Sequence, residues 1–199
     1  MNNQDKLIEL GYNAISEMVK ENSSVLDLGC GNGELLEYLS RKKNIRGQGV
    51  EIDEKCIYNC VARGLSVTHS DIDTGLSEYA DKMFDYVILY QTFQQVKKPD
   101  FVLNEALRVG RKAIVGFPNF VPYQARCQLF FKGRVPVTPS LPYQWYNTPN
   151  LHFLSIADFI NYCKDRNFKI EKSAFIGEAK RVYVFPNLFA QVGIFLISR

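Results

Sequence analysis

Apolar side chains at Ile8, Tyr12, Ile15 and Val19 recur at four-three-four spacing, which lays one stripe along a helix over residues 4–20. The polar run Glu21–Ser24 ends that period. Short apolar runs and helical patterns then alternate. Strands are predicted at 25–28, 47–52, 65–69, 84–90 and 112–117, with helices at 33–40, 55–63 and 100–108 among them. Gly64 stops the helix at 55–63. Strand–helix alternation with apolar strands predicts an α/β fold, a parallel sheet with helices on both faces and right-handed crossovers.

The pattern breaks at 118–150. That segment holds six of the eight prolines and many aromatics, among them Phe120, Phe130, Phe131, Trp145 and Tyr146. A long non-periodic stretch inside a domain is commonly functional, so it is expected to be a lid or docking insertion. Ser155 is positioned to cap a helix running through Ala157, Phe159, Ile160 and Cys163, and strands at 168–176 and 191–198 close the chain. A length of 199 residues suits one domain, taken as 1–199.

Composition excludes more than it selects. No apolar run approaches the roughly 20 residues that span a bilayer, and the start, Met1–Lys6, lacks a signal-peptide layout. A cytoplasmic protein without membrane attachment is expected. The five cysteines form no Cys-x-x-Cys pair, and only His69 and His152 are available to join them, so no metal site is expected. Net charge is +3, too little to imply nucleic acid. Its distribution is uneven: from Ala106 to Ala157 no acid occurs, while Arg108, Arg111, Lys112, Arg126, Lys132 and Arg134 do.

The segment Val25-Leu26-Asp27-Leu28-Gly29-Cys30-Gly31-Asn32-Gly33 follows a strand and precedes a helix, where glycines let backbone pass close to a ligand. The spacing Gly29-x-Gly31-x-Gly33 differs from the dinucleotide fingerprint, which sets a pyrophosphate on a helix N-terminus. Asp27, just before the loop, would repel a pyrophosphate but suits an ammonium group. Glu51, at the end of the second strand, can accept from two ribose hydroxyls. Asp71 after the third strand can accept from an adenine amino group, with Ile72 on the ring. Ile52 beside Glu51, and Leu89 and Tyr90 at the end of the fourth strand, complete the set. Each acid alone has a plain structural explanation: Asp27 as a helix cap, Glu51 as a lysine partner, Asp71 and Asp73 as turn residues. Three at successive strand ends, where open parallel sheets bind ligands, describe S-adenosylmethionine (SAM), or its product S-adenosylhomocysteine.

With these residues the chain resembles the class I SAM-dependent methyltransferases. More narrowly it resembles the methionine biosynthesis protein MetW family, through Val25–Leu36, Ser70–Asp73, Phe84–Gln94, Val102–Gly110, Phe117–Phe120 and Leu141–Asn150. The resemblance implies a single Rossmann-like domain with a seven-stranded sheet whose last strand is antiparallel. It also implies a place in methionine biosynthesis alongside homoserine O-acetyltransferase.

Catalytic residues are less legible, because methyl transfer asks mainly for alignment and needs a base only when the acceptor keeps its proton. Tyr90 and His152 are candidates, each with a packing role as the alternative. Two functions are expected from this sequence. One is a methyltransferase acting on a small metabolite, with 118–150 enclosing an acidic acceptor. The other is a SAM-sensing subunit that docks on homoserine O-acetyltransferase through the same segment.

Overall fold

The strands β1 (Ser24–Leu28), β4 (Phe84–Tyr90) and β5 (Gly110–Pro118) are apolar almost throughout and form the buried middle of the sheet, as parallel strands covered on both faces must. The structure, a computed structural model, describes residues 3–199. Outside the middle strands lie β2 (Arg46–Glu51) and β3 (Ser66–His69) on one side, and β7 (Val192–Ser198) and β6 (Lys169–Ile176) on the other. The seven strands run in the order β3-β2-β1-β4-β5-β7-β6. All neighbouring pairs are parallel except those of β7, which is antiparallel to both β5 and β6. The sheet order reverses direction between β1 and β4, the kind of switch point where such sheets open a ligand crevice.

Side chains alternate between the two faces, and the two core clusters follow that alternation. Leu26, Leu28, Val87 and Leu89 pack on one face under α4 (Pro99–Val109) and α6 (Ile156–Asp165). Val25, Tyr86, Ile88 and Ile114 pack on the other under α1 (Asn3–Met18) and α2 (Glu34–Lys43). Between β2 and β3 runs α3 (Glu54–Ala62), capped by Asp53, whose carboxylate accepts from the Cys56 amide at 3.0 Å.

The expected helix at 4–20 ends two residues sooner, at Met18. The segment 118–150 contains a helix that periodicity did not reveal, α5 (Tyr123–Lys132). Only Ala125 of α5 is buried, and Leu129, Phe130 and Phe131 face solvent. Its apolar residues therefore draw no single stripe; Pro122 at its start and the left-handed Gly133 at its end mark it instead. A short α7 (Pro186–Phe189) precedes β7.

Ser155 caps α6 as expected, in a reciprocal box: its hydroxyl accepts from the Asp158 amide at 3.1 Å, and the Asp158 carboxylate accepts from the Ser155 amide at 2.9 Å. The helix is anchored by Phe159, which is fully buried among Phe93, Phe117 and Phe195 with ring centroids 5.8, 5.1 and 4.9 Å away. Phe93 lies in the turn after β4, so this cluster fixes the back of that turn. Replacing Phe159 with Ala should cost about 3–5 kcal/mol in denaturant-induced unfolding; a loss under about 1 kcal/mol would show that the cluster does not anchor α6.

Candidate functional site

The turn from β1 into α2 is zipped onto the neighbouring strand: the Gly29 and Cys30 amides both donate to the Val50 carbonyl, at 2.8 and 3.2 Å. Glycine is required at two of its positions for different reasons. At Gly29 φ is +72°, and a Cβ would sit 2.5 Å from the Thr92 methyl. At Gly33 φ is +76°, and a Cβ would sit 2.3 Å from Leu65 Cδ1. Gly29 thus lets the turn after β4 close over the loop, while Gly33 lets α2 start against the β3 side of the sheet.

The Glu51 carboxylate holds three backbone donors. Its Oε2 accepts from the Gly31 amide at 2.7 Å, and its Oε1 accepts from the Ile52 and Asp53 amides at 2.8 and 3.0 Å. It pairs with no lysine among the described residues. Asp27 is buried at the end of β1, with Gly49 and Ile88 as its register partners, and forms no ion pair among the described residues. Nor does it cap α2, whose cap position is Gly33. Burial, and secondarily the nearby Glu51 charge, push the Asp27 carboxyl up from 3.8 to about 7. Asp71 follows β3 and accepts from the Asp73 amide at 2.9 Å through one oxygen. Asp73 in turn receives the Lys97 and Lys98 amides, tying the loop before α4 to this corner.

These parts surround one cleft of about 570 Å³, the size of a small-molecule site. Asp27, Gly29, Gly31, Glu51, Ile52, Asp71, Ile72 and Tyr90 all line it. Ile52 is 59% exposed on its rim, and Ile72 packs against the core below. Tyr90 is wedged between α1 and β5: a Cβ on Gly11 would meet its hydroxyl at 2.2 Å, and one on Gly116 would meet its ring at 2.5 Å. Burial pushes its phenol up to about 12, so it stays neutral. The next residue, Gln91, takes the left-handed region at φ +62°, unusual for a side chain of its size. Its carbonyl then receives the side-chain amides of both Gln94 and Gln95, at 2.9 and 2.8 Å.

Gly33 and Leu89 do not face this space. Gly33 is a packing contact, and Leu89 points to the α4 face because it alternates with Tyr90 along β4. His152 is half-buried outside the cleft lining; its amide donates to the Gln94 carbonyl at 3.0 Å, and its buried Nε2 has no hydrogen-bond partner among the described residues. His69 is exposed, with Nε2 3.1 Å from the Ile52 carbonyl. The basic residues of 106–157 are elsewhere too. Arg108 is engaged by Glu105 and Asp81, Arg111 by Asp85, Lys112 by Glu171, and Arg126 by the Val121 carbonyl. Lys132 and Arg134 are exposed. None lines the cleft, so they form no enclosure for an acidic acceptor. Among the described residues no group of three or more His, Cys, Asp or Glu is placed to hold a metal, and no helix is long and apolar enough to cross a membrane.

Sequence reasoning missed Ile8 and Tyr12 of α1, which cover the cleft, and Thr92 and Gln95 after β4. Ile8 and Tyr12 were legible only as a helical stripe; nothing local shows that its first turns overhang the cleft.

The model of the family described as methionine biosynthesis protein MetW matches residues 10–197. The bifunctional methionine biosynthesis protein MetXA/MetW of Rhodopirellula baltica is 36% identical over 208 residues, covering 98% of this chain but only 33% of that protein. The chain thus spans about a third of the length of that relative. Among solved structures, a SAM-dependent methyltransferase of Thermotoga maritima superposes with a TM-score of 0.69 at 18% identity, over 99% of this chain and 92% of its own. One from Archaeoglobus fulgidus does so with a TM-score of 0.69 at 17% identity, over 100% and 95%. At such identities the likeness is one of fold.

The Asp27 carboxyl ionises near 3.8 in an unfolded chain and near 7 in the folded one. Between those values the folded state holds the extra proton, so this group's contribution to stability falls as pH rises. Asp27→Asn should therefore gain on the wild type by about 1.4 kcal/mol per pH unit between roughly pH 5 and 7. Parallel unfolding curves measure this; a difference that stays constant with pH would mean Asp27 is not strained by burial.

Proposed function

The chain belongs to the methionine biosynthesis protein MetW family, and from that premise we propose that its cleft binds SAM and presents it to a small methyl acceptor. The observation that carries this reading is the convergence of Asp27, Glu51 and Asp71, from the ends of β1, β2 and β3, on one cleft beside the glycine turn.

The residues fit this ligand. A buried carboxyl without a cationic partner, raised to about 7, is stabilised in its ionised form by an ammonium group brought next to it. Asp27 therefore takes the amino acid end. Glu51 takes the ribose: with Oε2 already on Gly31, a lone pair remains for a hydroxyl. Asp71 keeps one oxygen free for an adenine amino group, between the apolar side chains of Ile52 and Ile72. A pyrophosphate fits poorly, because Asp27, Glu51 and Glu34 would all face it. When bound, SAM supplies an electrophilic methyl group on a sulfonium. The work left to the chain is orientation and exclusion of water, with Tyr90 and Thr92 forming the wall nearest the turn after β4. Since His152 stands outside the cleft, no histidine is assigned as a base. The five cysteines are all free thiols, which suits the cytoplasmic setting we assign.

A second reading is supported by the Rhodopirellula relative, whose name joins MetXA and MetW in one bifunctional protein. On this reading the protein reports SAM status to homoserine O-acetyltransferase. The exposed Phe130, Phe131, Trp145 and Tyr146 of 118–150 would then be the docking surface.

Calorimetric titration with SAM and with S-adenosylhomocysteine tests the first reading: Glu51→Ala should weaken both by about tenfold or more, since hydrogen bonds to a charged group are lost. Unchanged affinity in a folded variant would remove the site assignment. For the second, the acetyltransferase should co-purify with this protein in a SAM-dependent manner and change rate on association; two proteins that ignore each other contradict it.

A further inference from the structure

Asp27, Glu51 and Asp71 are assigned to groups that SAM and S-adenosylhomocysteine share: the ammonium, the ribose and the adenine. The two molecules differ by one methyl group and by the positive charge on sulfur. A sulfonium has no N–H or O–H to donate, so a carboxylate cannot hydrogen-bond it. The face of an aromatic ring attracts such a cation through its quadrupole.

Two features of the cleft suit that charge. Its lining is acidic although the whole chain carries +3: Asp27, Glu34, Glu51, Asp71 and Asp73 line it, and among the described residues Lys97 is the one cation that does. Two tyrosines also stand in its wall. Tyr12 comes from α1, and Tyr90 from the end of β4, which pairs with β1 beside Asp27. Their ring centroids are 6.0 Å apart and their planes are inclined by 68°, so they wall a corner rather than stack. Both are only half-buried, so each keeps surface to present to the cleft it lines. The corner is held from behind: Tyr90 is wedged against Gly11 and Gly116, and Tyr12 packs on Tyr38 at 5.6 Å. Burial, and after it Glu34, Tyr90 and Asp27, push the Tyr12 phenol up, so the ring stays neutral and belongs to the Asp27 end of the cleft.

A SAM whose ammonium meets Asp27 and whose ribose meets Glu51 carries its sulfonium between those two groups. We propose that Tyr12 and Tyr90 set an aromatic corner against that sulfonium, and that they thereby make the cleft prefer SAM to S-adenosylhomocysteine. The acid-rich lining adds to the preference, since only SAM brings the extra positive charge. A ring face on a cation is worth roughly threefold to thirtyfold in affinity. The proposal rests on the reading of the cleft as a SAM site and gives that site a direction: it holds the methyl donor and releases the spent product. A methyltransferase gains turnover from this, and a sensor gains a signal that its product does not mask.

Calorimetry on the whole protein measures the ratio of the S-adenosylhomocysteine Kd to the SAM Kd. The wild type should bind SAM about tenfold more tightly. Tyr12→Leu should lower the ratio about fivefold by weakening SAM, while S-adenosylhomocysteine affinity changes by less than about twofold. Tyr12→Phe keeps the ring and should keep the ratio. Should Tyr12→Leu fail to fold, the wild type is titrated with the tertiary-amine analogue of SAM, in which N–CH3 replaces the sulfonium. Its affinity relative to S-adenosylhomocysteine should fall across the pH range in which its amine loses the proton. A wild type that binds the two natural ligands equally or favours S-adenosylhomocysteine overturns the proposal. So does a ratio unchanged in folded Tyr12→Leu, a ratio lost in Tyr12→Phe, or an amine analogue that tracks S-adenosylhomocysteine at every pH. Failure of both natural ligands to bind the wild type overturns the donor site itself, and this proposal with it.

Discussion

At the carboxyl ends of β1 and β2 two acids, Asp27 and Glu51, face the same cleft. They are treated differently. Glu51 is surrounded by amides: three backbone N–H groups from both crossover loops converge on it, so its charge is distributed over the turn. Asp27 is buried with no ion pair among the described residues, and its proton is held until about pH 7. One carboxylate thus shapes the loop, and the other stores an unfavourable burial that a cation would relieve. Glu51 ties the Gly31 amide to the loop after β2, while the Val50 carbonyl holds Gly29 and Cys30 and Thr92 seats on Gly29.

The alternation of side chains along β1 and β4 then decides what belongs to the site. Asp27 and Tyr90 fall on the α1 and α2 side, where the cleft opens, while Leu26, Leu28, Val87 and Leu89 fall on the side sealed by α4 and α6. The same face carries the turn after β4. Phe93 and Phe159 brace that turn from behind, while its Gln91, Thr92 and Gln95 line the cleft.

Much of this was readable from the chain. The period of the strands and the Ser155 cap are local signals, and Asp27, Glu51 and Asp71 could be placed at successive strand ends, where the structure has them lining one cleft. What failed had a physical cause in each case. Leu89 was included because it adjoins Tyr90 in sequence, but a strand sends neighbours to opposite faces. His152 was attractive as a lone titratable residue near an aromatic segment, yet sequence proximity to a lid says nothing about which way it turns. α5 escaped because its apolar residues are exposed and break the stripe a buried helix would show. The arginines of 106–157 suggested an enclosure for an acid, but their partners lie on the surface and not in the cleft. The positive φ at Gln91 leaves no trace in composition at all.

The most direct measurement is a crystal structure of the protein grown with S-adenosylhomocysteine. The ligand should lie in the cleft between the glycine turn and Tyr90, its ammonium group bonded to Asp27 directly or through one water, a ribose hydroxyl on Glu51 and the adenine between Ile52 and Ile72. A ligand seated elsewhere, or one in the cleft that leaves Asp27 without a cation, would contradict it.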